Sequence, residues 1–102
     1  ICAICPHIRV CHFEVSEDVK DLFYDTFSYM KDIDSMIKKG SSNGKYFVDT
    51  TKINIQMLID AGVKPENILD SGICTVCNKD YFHSYRADKE LSGRNGAMIM
   101  LK

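Results

Sequence analysis

The chain opens on a run of small and β-branched apolar residues, residues 1–5, which is typical of a strand buried inside a sheet. Such a strand needs neighbours along its edges and packing on both faces, so a self-sufficient fold seldom begins with one. The first residue, Ile1, is also not a methionine. We therefore expect the 102 residues to be a fragment or the remainder of a larger domain.

Helical stripes and short strands alternate along the chain, which indicates a mixed α/β or α+β fold. Two helices are predicted from apolar stripes and end signals: one after Ser16 with Val19, Leu22, Phe23, Phe27 and Met30, and one from about Asp49 to Ala61, ending before Gly62. One or two further helical turns, with Ile33, Met36 and Ile37, are predicted to end at Gly40. Strands are predicted over residues 1–5, 13–15, 46–48, 68–69, 82–86 and 97–101.

Charge and cysteine content exclude several classes of protein. The net charge is -1, from 13 basic and 14 acidic residues that are evenly mixed, so a nucleic acid partner is not expected. The apolar runs are too short to cross a bilayer, so no membrane partner is expected either. Five cysteines are an odd set without a secretory leader, which favours a reducing cytoplasm over a disulfide scaffold.

The segment from Pro6 to Val15 places two histidines, a thiol and an arginine in a loop after the first strand. Cys11 next to His12 suggests a nucleophile and its base. Neighbouring side chains of an extended segment point to opposite faces, however, so we do not expect these two to form an activated pair. The segment is still predicted to be a loop that displays functional side chains.

Cys74 and Cys77 form a CxxC motif, which supplies half of a tetrahedral zinc site. The other half would have to come from Cys11, His12 or His83, since no second spaced pair exists in the sequence. Loop cysteines that only pack or form hydrogen bonds are the favoured interpretation, and zinc remains the alternative.

Arginine and hydroxyl side chains gather late in the chain, where Ser84 and Arg86 are followed by Arg94. A guanidinium group offers a planar fork of donors that suits an anion such as phosphate. The alternative is a surface strand whose arginines are simply solvated, and composition alone favours it.

Six segments, taken in order, resemble the YfiH/laccase-domain family. They are residues 4–8, 11–15, 45–49 with Asn54 and residues 58–68, 71–78, 82–88 and 92–97. The chain departs from the family pattern at Cys5 and Ser16, where glycine is usual, and at Ala87, where a second arginine is usual. The resemblance implies an α+β fold of layered mixed sheets flanked by helices, with residues 1–102 as the C-terminal portion of a single domain.

The family resemblance also implies an activity, which is the phosphorolysis of adenosine, inosine or methylthioadenosine by a zinc-dependent purine nucleoside phosphorylase. The family's zinc ligands, two histidines and a cysteine, belong to upstream motifs that do not occur in this sequence. Zinc is therefore expected in the complete domain, whereas no bound metal and no activity are expected of this chain alone.

The resemblance leads us to expect that four residues contact substrate or phosphate. Arg86, Ser84 and Arg94 would bind the anion, and Phe13 would stack on the purine base or else belong to the core. Two alternatives stay open: a non-catalytic structural remnant that associates with itself, and a small zinc-binding module built on Cys74 and Cys77.

Overall fold

The structure is a computed structural model that describes residues 1–100. The strands are β1 (Cys2–Ile4), β2 (Glu14–Ser16), β3 (Ile37–Lys39), β4 (Lys45–Val48) and β5 (Ile68–Asp70). The helices are α1 (Glu17–Thr26), α2 (Thr50–Asp60) and α3 (Tyr85–Asp88), and 3-10 turns span Ile33–Met36, Pro65–Asn67 and Lys89–Leu91. In this part of the chain, no helix has the length and apolar character needed to cross a membrane.

The strands form two separate small sheets, so the predicted α+β class is confirmed. β1 and β5 pair in parallel, with Cys2 opposite Ile68 and Ile4 opposite Asp70. The other sheet is antiparallel with the order β2-β4-β3, which places β4 at its centre. The parallel pair joins the two ends of the chain's first 70 residues, while the antiparallel sheet carries the core.

The core lies on one side of the antiparallel sheet and extends to the start of α2. Its buried members are Val15, Met30, Ile33, Met36, Ile37, Val48 and Ile53. Aromatic residues close it on the α1 side, where the rings of Phe13 and Phe23 meet edge to face with centroids 6.3 Å apart. Val48, on the central strand, is the most enclosed of these side chains, with 0% of its surface exposed.

The first helix is shorter than its apolar stripe predicts. α1 ends at Thr26, so Met30 lies beyond it, although Met30 is still buried in the core. Leu22 has 64% of its surface exposed and does not belong to the buried face. Ser16 precedes the helix without a capping hydrogen bond from its side chain, so the acidic first turn is what favours the helix start.

The second helix follows its local signals closely. Asp49 caps α2, since its side chain accepts a hydrogen bond of 3.1 Å from the backbone N–H of Lys52. Gly62 follows the helix with a φ of +102°, a backbone conformation that favours glycine. The predicted start and end of this helix are therefore confirmed.

One predicted element was correct only in part and another was wrong, because hydrogen bonds selected another structure. The predicted helical turns that end at Gly40 are confined to the 3-10 turn Ile33–Met36, because the chain continues as β3 (Ile37–Lys39) and pairs with β4. The strand predicted over residues 82–86 is absent, because the Ser84 side chain accepts a hydrogen bond from the N–H of Ala87 and starts α3. Arg86 therefore lies on a short helix and not at a strand end.

The predicted terminal strand over residues 97–101 is also not formed in its described part. Residues 97–100 have no regular secondary structure, and residue 101 lies outside the described residues. Met98 and Ile99 have 100% and 92% of their surfaces exposed. An apolar run pairs as a strand only beside another strand edge, and none of the described strands pairs with these residues.

Val48→Ala is expected to lower the free energy of unfolding by about 2–3 kcal/mol, because it removes buried methyl groups and leaves a cavity. Leu22→Ala is the matched control, and its exposed position predicts a change within about 0.5 kcal/mol. Urea denaturation followed by circular dichroism measures both. Equal losses in the two variants would contradict the assignment of the core.

Candidate functional site

The parallel pairing of β1 and β5 continues past the ends of both strands. The backbone N–H of His7 donates to the carbonyl of Ile73 at 3.3 Å, and the N–H of Thr75 donates to the carbonyl of His7 at 3.0 Å. These bonds form a parallel bridge between His7 and Cys74. The loop after β1 therefore runs beside the loop after β5, which brings two distant parts of the sequence to one place.

An ion pair joins Arg9, in the loop after β1, to Asp70, the last residue of β5. Two guanidinium nitrogens of Arg9 donate to the two carboxylate oxygens of Asp70 at 2.7 and 2.8 Å. This pair lowers the pKa of Asp70 to about 2, against the opposing effect of partial burial, and the N–H of Gly72 adds a further hydrogen bond. Sequence reasoning missed this pair, since no short-range pattern links residues so far apart.

A tight turn at Arg9 brings the side chains of Cys11 and His12 together. The N–H groups of His12 and Phe13 both donate to the carbonyl of Arg9, at 3.0 and 2.9 Å. Cys11 Sγ and His12 Nδ1 are 3.2 Å apart. The expectation that these neighbours point apart was wrong, because it assumed an extended backbone where the chain turns.

Cys11, His12, Cys74 and Cys77 form one cluster, in which all four potential ligand atoms lie within 4.8 Å of one another. The imidazole Nδ1 of His12 faces three sulfurs, at 3.2 Å from Cys11, 3.4 Å from Cys77 and 3.9 Å from Cys74. The sulfurs of Cys11 and Cys77 are 3.5 Å apart. Cys74 is buried, whereas the other three residues are exposed.

His83, the fifth candidate ligand from the sequence, does not join this cluster. Its Nδ1 accepts a hydrogen bond of 3.1 Å from the N–H of Gly93. Its backbone N–H donates to Oδ1 of Asn95 at 3.0 Å, and its carbonyl accepts a hydrogen bond from Nδ2 of Asn95 at 2.7 Å. His83 therefore fixes the loop that leads to Arg94.

The thiols of the cluster differ in acidity. Burial raises the pKa of Cys74, but backbone N–H groups of Cys77, Arg9 and Val76 donate to its sulfur and bring the pKa down to about 6. Although Cys11 is exposed at the surface, partial desolvation of its sulfur and hydrogen bonds with Cys77 and Cys74 raise its pKa to about 12. Within the cluster, Cys74 is therefore the more acidic thiol and Cys11 the less acidic one.

Three of the four residues predicted to contact substrate line one pocket. Phe13, Ser84 and Arg86 surround it, and the guanidinium carbon of Arg86 lies 5.5 Å from the centre of the Phe13 ring. One guanidinium nitrogen of Arg86 donates to the carbonyl of Glu14 at 3.0 Å, which fixes the side chain. Arg94 lies apart, in a neighbouring pocket with His83 and Tyr85.

His7 forms a further polar contact that sequence reasoning did not identify. Its Nδ1 lies 2.8 Å from the carbonyl oxygen of Cys5, which can only accept, so Nδ1 carries a proton. Its Nε2 lies 2.7 Å from the hydroxyl of Thr51, a buried residue at the start of α2. In the neutral tautomer, Thr51 donates to His7. This contact ties α2 to the loop after β1.

Comparison with known proteins places the chain in a family. A family model described as multi-copper polyphenol oxidoreductase laccase matches residues 1–102. The chain belongs to this family. The resemblance to the YfiH/laccase-domain family is thereby confirmed.

Several relatives within this family carry enzyme names. The purine nucleoside phosphorylase YlmD of Geobacillus stearothermophilus is 32% identical over 97 residues, which are 95% of this chain and 34% of the relative. A purine nucleoside phosphorylase of Staphylococcus epidermidis is 33% identical over 85% of this chain and 32% of its own. Adenosine deaminase RL5, from an unknown prokaryotic organism, is 32% identical over 98% of this chain and 37% of its own.

The fold agrees with a solved structure of one relative. The crystal structure of YlmD from Geobacillus stearothermophilus matches with a TM-score of 0.75 and 31% identity, over 89% of this chain and 33% of that chain. The present chain thus spans about a third of the length of the relatives it matches.

Asp70→Asn is expected to lower the free energy of unfolding by about 1 kcal/mol near neutral pH, since both partners are about a quarter exposed and solvent screens the pair. The pKa of Asp70 is lowered to about 2 on folding, so its contribution is present above the unfolded carboxyl range near pH 4. The difference between wild type and variant should disappear as the pH falls through about 2.

Urea denaturation at neutral pH and at a series of acidic values tests this expectation. Asp80→Asn, which changes an exposed carboxylate, is the matched control. A stability difference for Asp70→Asn that stays constant down to about pH 2 would contradict the role of the ion pair.

Proposed function

We propose that residues 1–102 are the C-terminal portion of a single purine nucleoside phosphorylase domain of the cytoplasm. The observation that carries this proposal is the name of the relatives, two of which are purine nucleoside phosphorylases that match 85% and 95% of the chain. The pocket around Arg86 supports it, because its groups suit the reactants of that reaction. The substrates would be a purine nucleoside and phosphate.

The chemistry divides into binding an anion and releasing a base. In phosphorolysis, a phosphate oxygen forms a bond to the anomeric carbon while the bond from that carbon to the purine nitrogen breaks. The purine leaves with the electron pair and takes up a proton. The site must hold phosphate in line and exclude water, since positioning supplies much of the rate.

Arg86 is the residue that we assign to the phosphate. Its guanidinium is held by the Glu14 carbonyl and the face of Phe13, which leaves further N–H donors for an anion. Ser84 lies in the same pocket, and its oxygen accepts from Ala87 while its hydroxyl hydrogen is free to donate. Arg94 is assigned a more distant contact, because it lines the adjacent pocket.

Phe13 is assigned two roles that do not exclude each other. Its ring packs against Phe23 at the edge of the core, with centroids 6.3 Å apart. The ring is also half-buried and lines the Arg86 pocket, where its face suits a purine base. In this proposal the ring is both a wall for the base and part of the core edge, the two alternatives that the sequence left open.

The metal of the family belongs to another part of the domain in this proposal. The motifs that the resemblance assigns to the zinc ligands do not occur in these 102 residues. No step assigned to the present residues therefore runs through that ion. The chain supplies the anion pocket and scaffold, and the region that precedes it in the relatives supplies the metal-dependent chemistry.

An apolar groove beside β1 is where we place that preceding region. It is lined by Ile1, Cys2, Ala3, Ile4, Cys5, Asn54, Met57, Leu58, Ala97, Met98 and Ile99. The exposed members of this set would be covered in a complete domain, since patches of this kind are rare on isolated proteins. Without that cover, we expect copies of the chain to associate through the groove.

A non-catalytic remnant and an adenosine deaminase are the alternative functions. The name of RL5 favours the second, because that relative matches almost the whole chain. The two reactions give different products from adenosine. Phosphorolysis yields adenine and a sugar phosphate and requires phosphate, whereas deamination yields inosine and does not.

The first test compares the chain alone with a chimera in which it replaces the matching third of Geobacillus stearothermophilus YlmD. We expect phosphate-dependent release of adenine from adenosine by the chimera and none by the chain alone, as chromatography of the products would show. Adenine release by the chain alone would contradict the assignment of the metal-dependent chemistry to the preceding region. Formation of inosine that does not depend on phosphate would favour the adenosine deaminase. A chimera that folds but shows no activity would favour the non-catalytic remnant.

Arg86→Lys in the active chimera is expected to raise the KM for phosphate about 10–100-fold, because lysine keeps the charge but loses the planar fork. Lys79→Arg, an exposed cation outside the pocket, is the matched control and should leave KM unchanged. An Arg86→Lys variant with unchanged KM for phosphate and unchanged stability would remove Arg86 from the anion site.

A further inference from the structure

We propose that Cys11, His12, Cys74 and Cys77 bind one zinc ion in a closed tetrahedral site that serves structure and not catalysis. This site is separate from the family metal site discussed above and does not depend on the proposed phosphorolysis. It also departs from the expectation drawn from the resemblance, by which the chain alone holds no metal. The sequence contained half of the site as the CxxC pair.

The spacing of the four ligand atoms fits a zinc ion. Zinc lies about 2.3 Å from sulfur and about 2.0 Å from imidazole nitrogen, so tetrahedral geometry separates two sulfurs by about 3.8 Å and a sulfur from a nitrogen by about 3.5 Å. The sulfurs of Cys11 and Cys77 are 3.5 Å apart, and the three sulfur–nitrogen distances run from 3.2 to 3.9 Å.

The remaining distances need only a small adjustment. All four atoms lie within 4.8 Å of one another, so the widest pair would close by about 1 Å around the ion. Three of the four residues are exposed on loops, where side chains shift readily. Cys74 is the buried and fixed member, because the bridge to His7 holds its backbone.

The donor set selects zinc and a structural role. Three thiolates and one imidazole are a usual set for structural zinc, and four protein ligands leave no open position for water or substrate. Three thiolates around a divalent ion would leave the site with one net negative charge.

A disulfide is the competing use of the same residues. All five cysteines are free, and the shortest sulfur–sulfur approach among the hydrogen bonds is 3.5 Å, well beyond the roughly 2.05 Å of a disulfide. A disulfide would use two sulfurs and leave the imidazole without a role. Nδ1 of His12 instead lies within 3.9 Å of three sulfurs, which is the arrangement expected around a shared ion.

The ion would also hold two residues of the Arg86 pocket in place. Phe13 follows His12 directly, and Thr75 follows Cys74, and both Phe13 and Thr75 line that pocket. Zinc would therefore tether two walls of the pocket through adjacent residues. The site would act on the anion pocket by position, without touching its ligand.

The test measures metal in the 102-residue chain, purified under reducing conditions from zinc-supplemented medium. We expect one zinc per chain by mass spectrometry of the metals. Replacement by cobalt should give the strong visible bands of tetrahedral cobalt, with a thiolate charge-transfer band in the near ultraviolet whose intensity matches three thiolates. The cobalt spectrum needs no variant, so it reports on the ligands even where a substitution prevents folding.

Cys77→Ser and His12→Gln change two exposed ligands. Each is expected to weaken zinc binding by about 100-fold or more, measured by competition with a coloured chelator, since even outer-shell changes cost about 10–100-fold. Cys5→Ser removes an exposed free thiol outside the cluster and should keep one zinc per chain. Circular dichroism checks that each variant is folded.

Several results would overturn the proposal. They are wild-type chain without zinc in reducing buffer, a cobalt spectrum without thiolate charge transfer, a Cys11–Cys77 disulfide that persists in reductant, or equal zinc loss in Cys5→Ser. Full zinc retention by both ligand variants would also overturn it, and stoichiometric copper(I) that zinc does not displace would overturn the choice of metal. None of these readouts involves nucleoside cleavage, so they do not depend on the proposed activity.

Discussion

The parallel pairing of β1 with β5 is the constraint on which the rest of the site depends. It aligns Cys2 with Ile68, and the bridge from His7 to Cys74 carries the alignment into both loops. Because side chains alternate between the faces of a strand, a shift of one residue in this register would turn Cys74 away from His12. The Arg9–Asp70 ion pair acts against such a shift, since it joins the same two segments.

The turn at Arg9 then links the parallel pair to the antiparallel sheet. Its carbonyl accepts hydrogen bonds from the N–H groups of His12 and Phe13. One turn therefore holds both the cluster ligand His12 and the aromatic residue that follows it. Phe13 reaches the edge of the core, and its carbonyl accepts a hydrogen bond of 3.2 Å from Val48. The cysteine cluster and the Arg86 pocket therefore share one short segment, which supplies His12 to the cluster and Phe13 to the pocket.

The sequence predicted those features whose causes lie within a few residues. Asp49 and Gly62 define the ends of α2 through local capping, and both predictions hold. The choice between strand and helix at residues 82–86 depended on one hydrogen bond from Ala87 to Ser84, which an alternating pattern does not reveal. The terminal apolar run shows the same limit, because a strand is defined by a neighbour that the run itself does not contain.

The site was predictable only in part for a different reason, which is the sequence distance between its members. The CxxC motif identified Cys74 and Cys77, but whether Cys11, His12 or His83 lay beside them depended on the register of a parallel pair. Cys11 and Cys77 are 66 positions apart in the sequence, although their sulfurs lie 3.5 Å apart. Among Phe13, Ser84, Arg86 and Arg94, the local pattern grouped the last three, whereas the structure groups the first three.

The proposed zinc ion would help so small a core to support an open pocket. Among the described residues, Val48 is the largest side chain with under 2% of its surface exposed, and the main core lies on the antiparallel sheet, away from the parallel pair. A two-stranded pair is marginal by itself. A zinc ion shared by Cys11 and Cys77 would close a long loop of the chain, and the entropy that such a closure removes from the unfolded state grows with the logarithm of loop length. Metal ligands at this place would thus strengthen the part of the fold that hydrophobic burial supports least, which is also the part that positions Phe13 and Arg86.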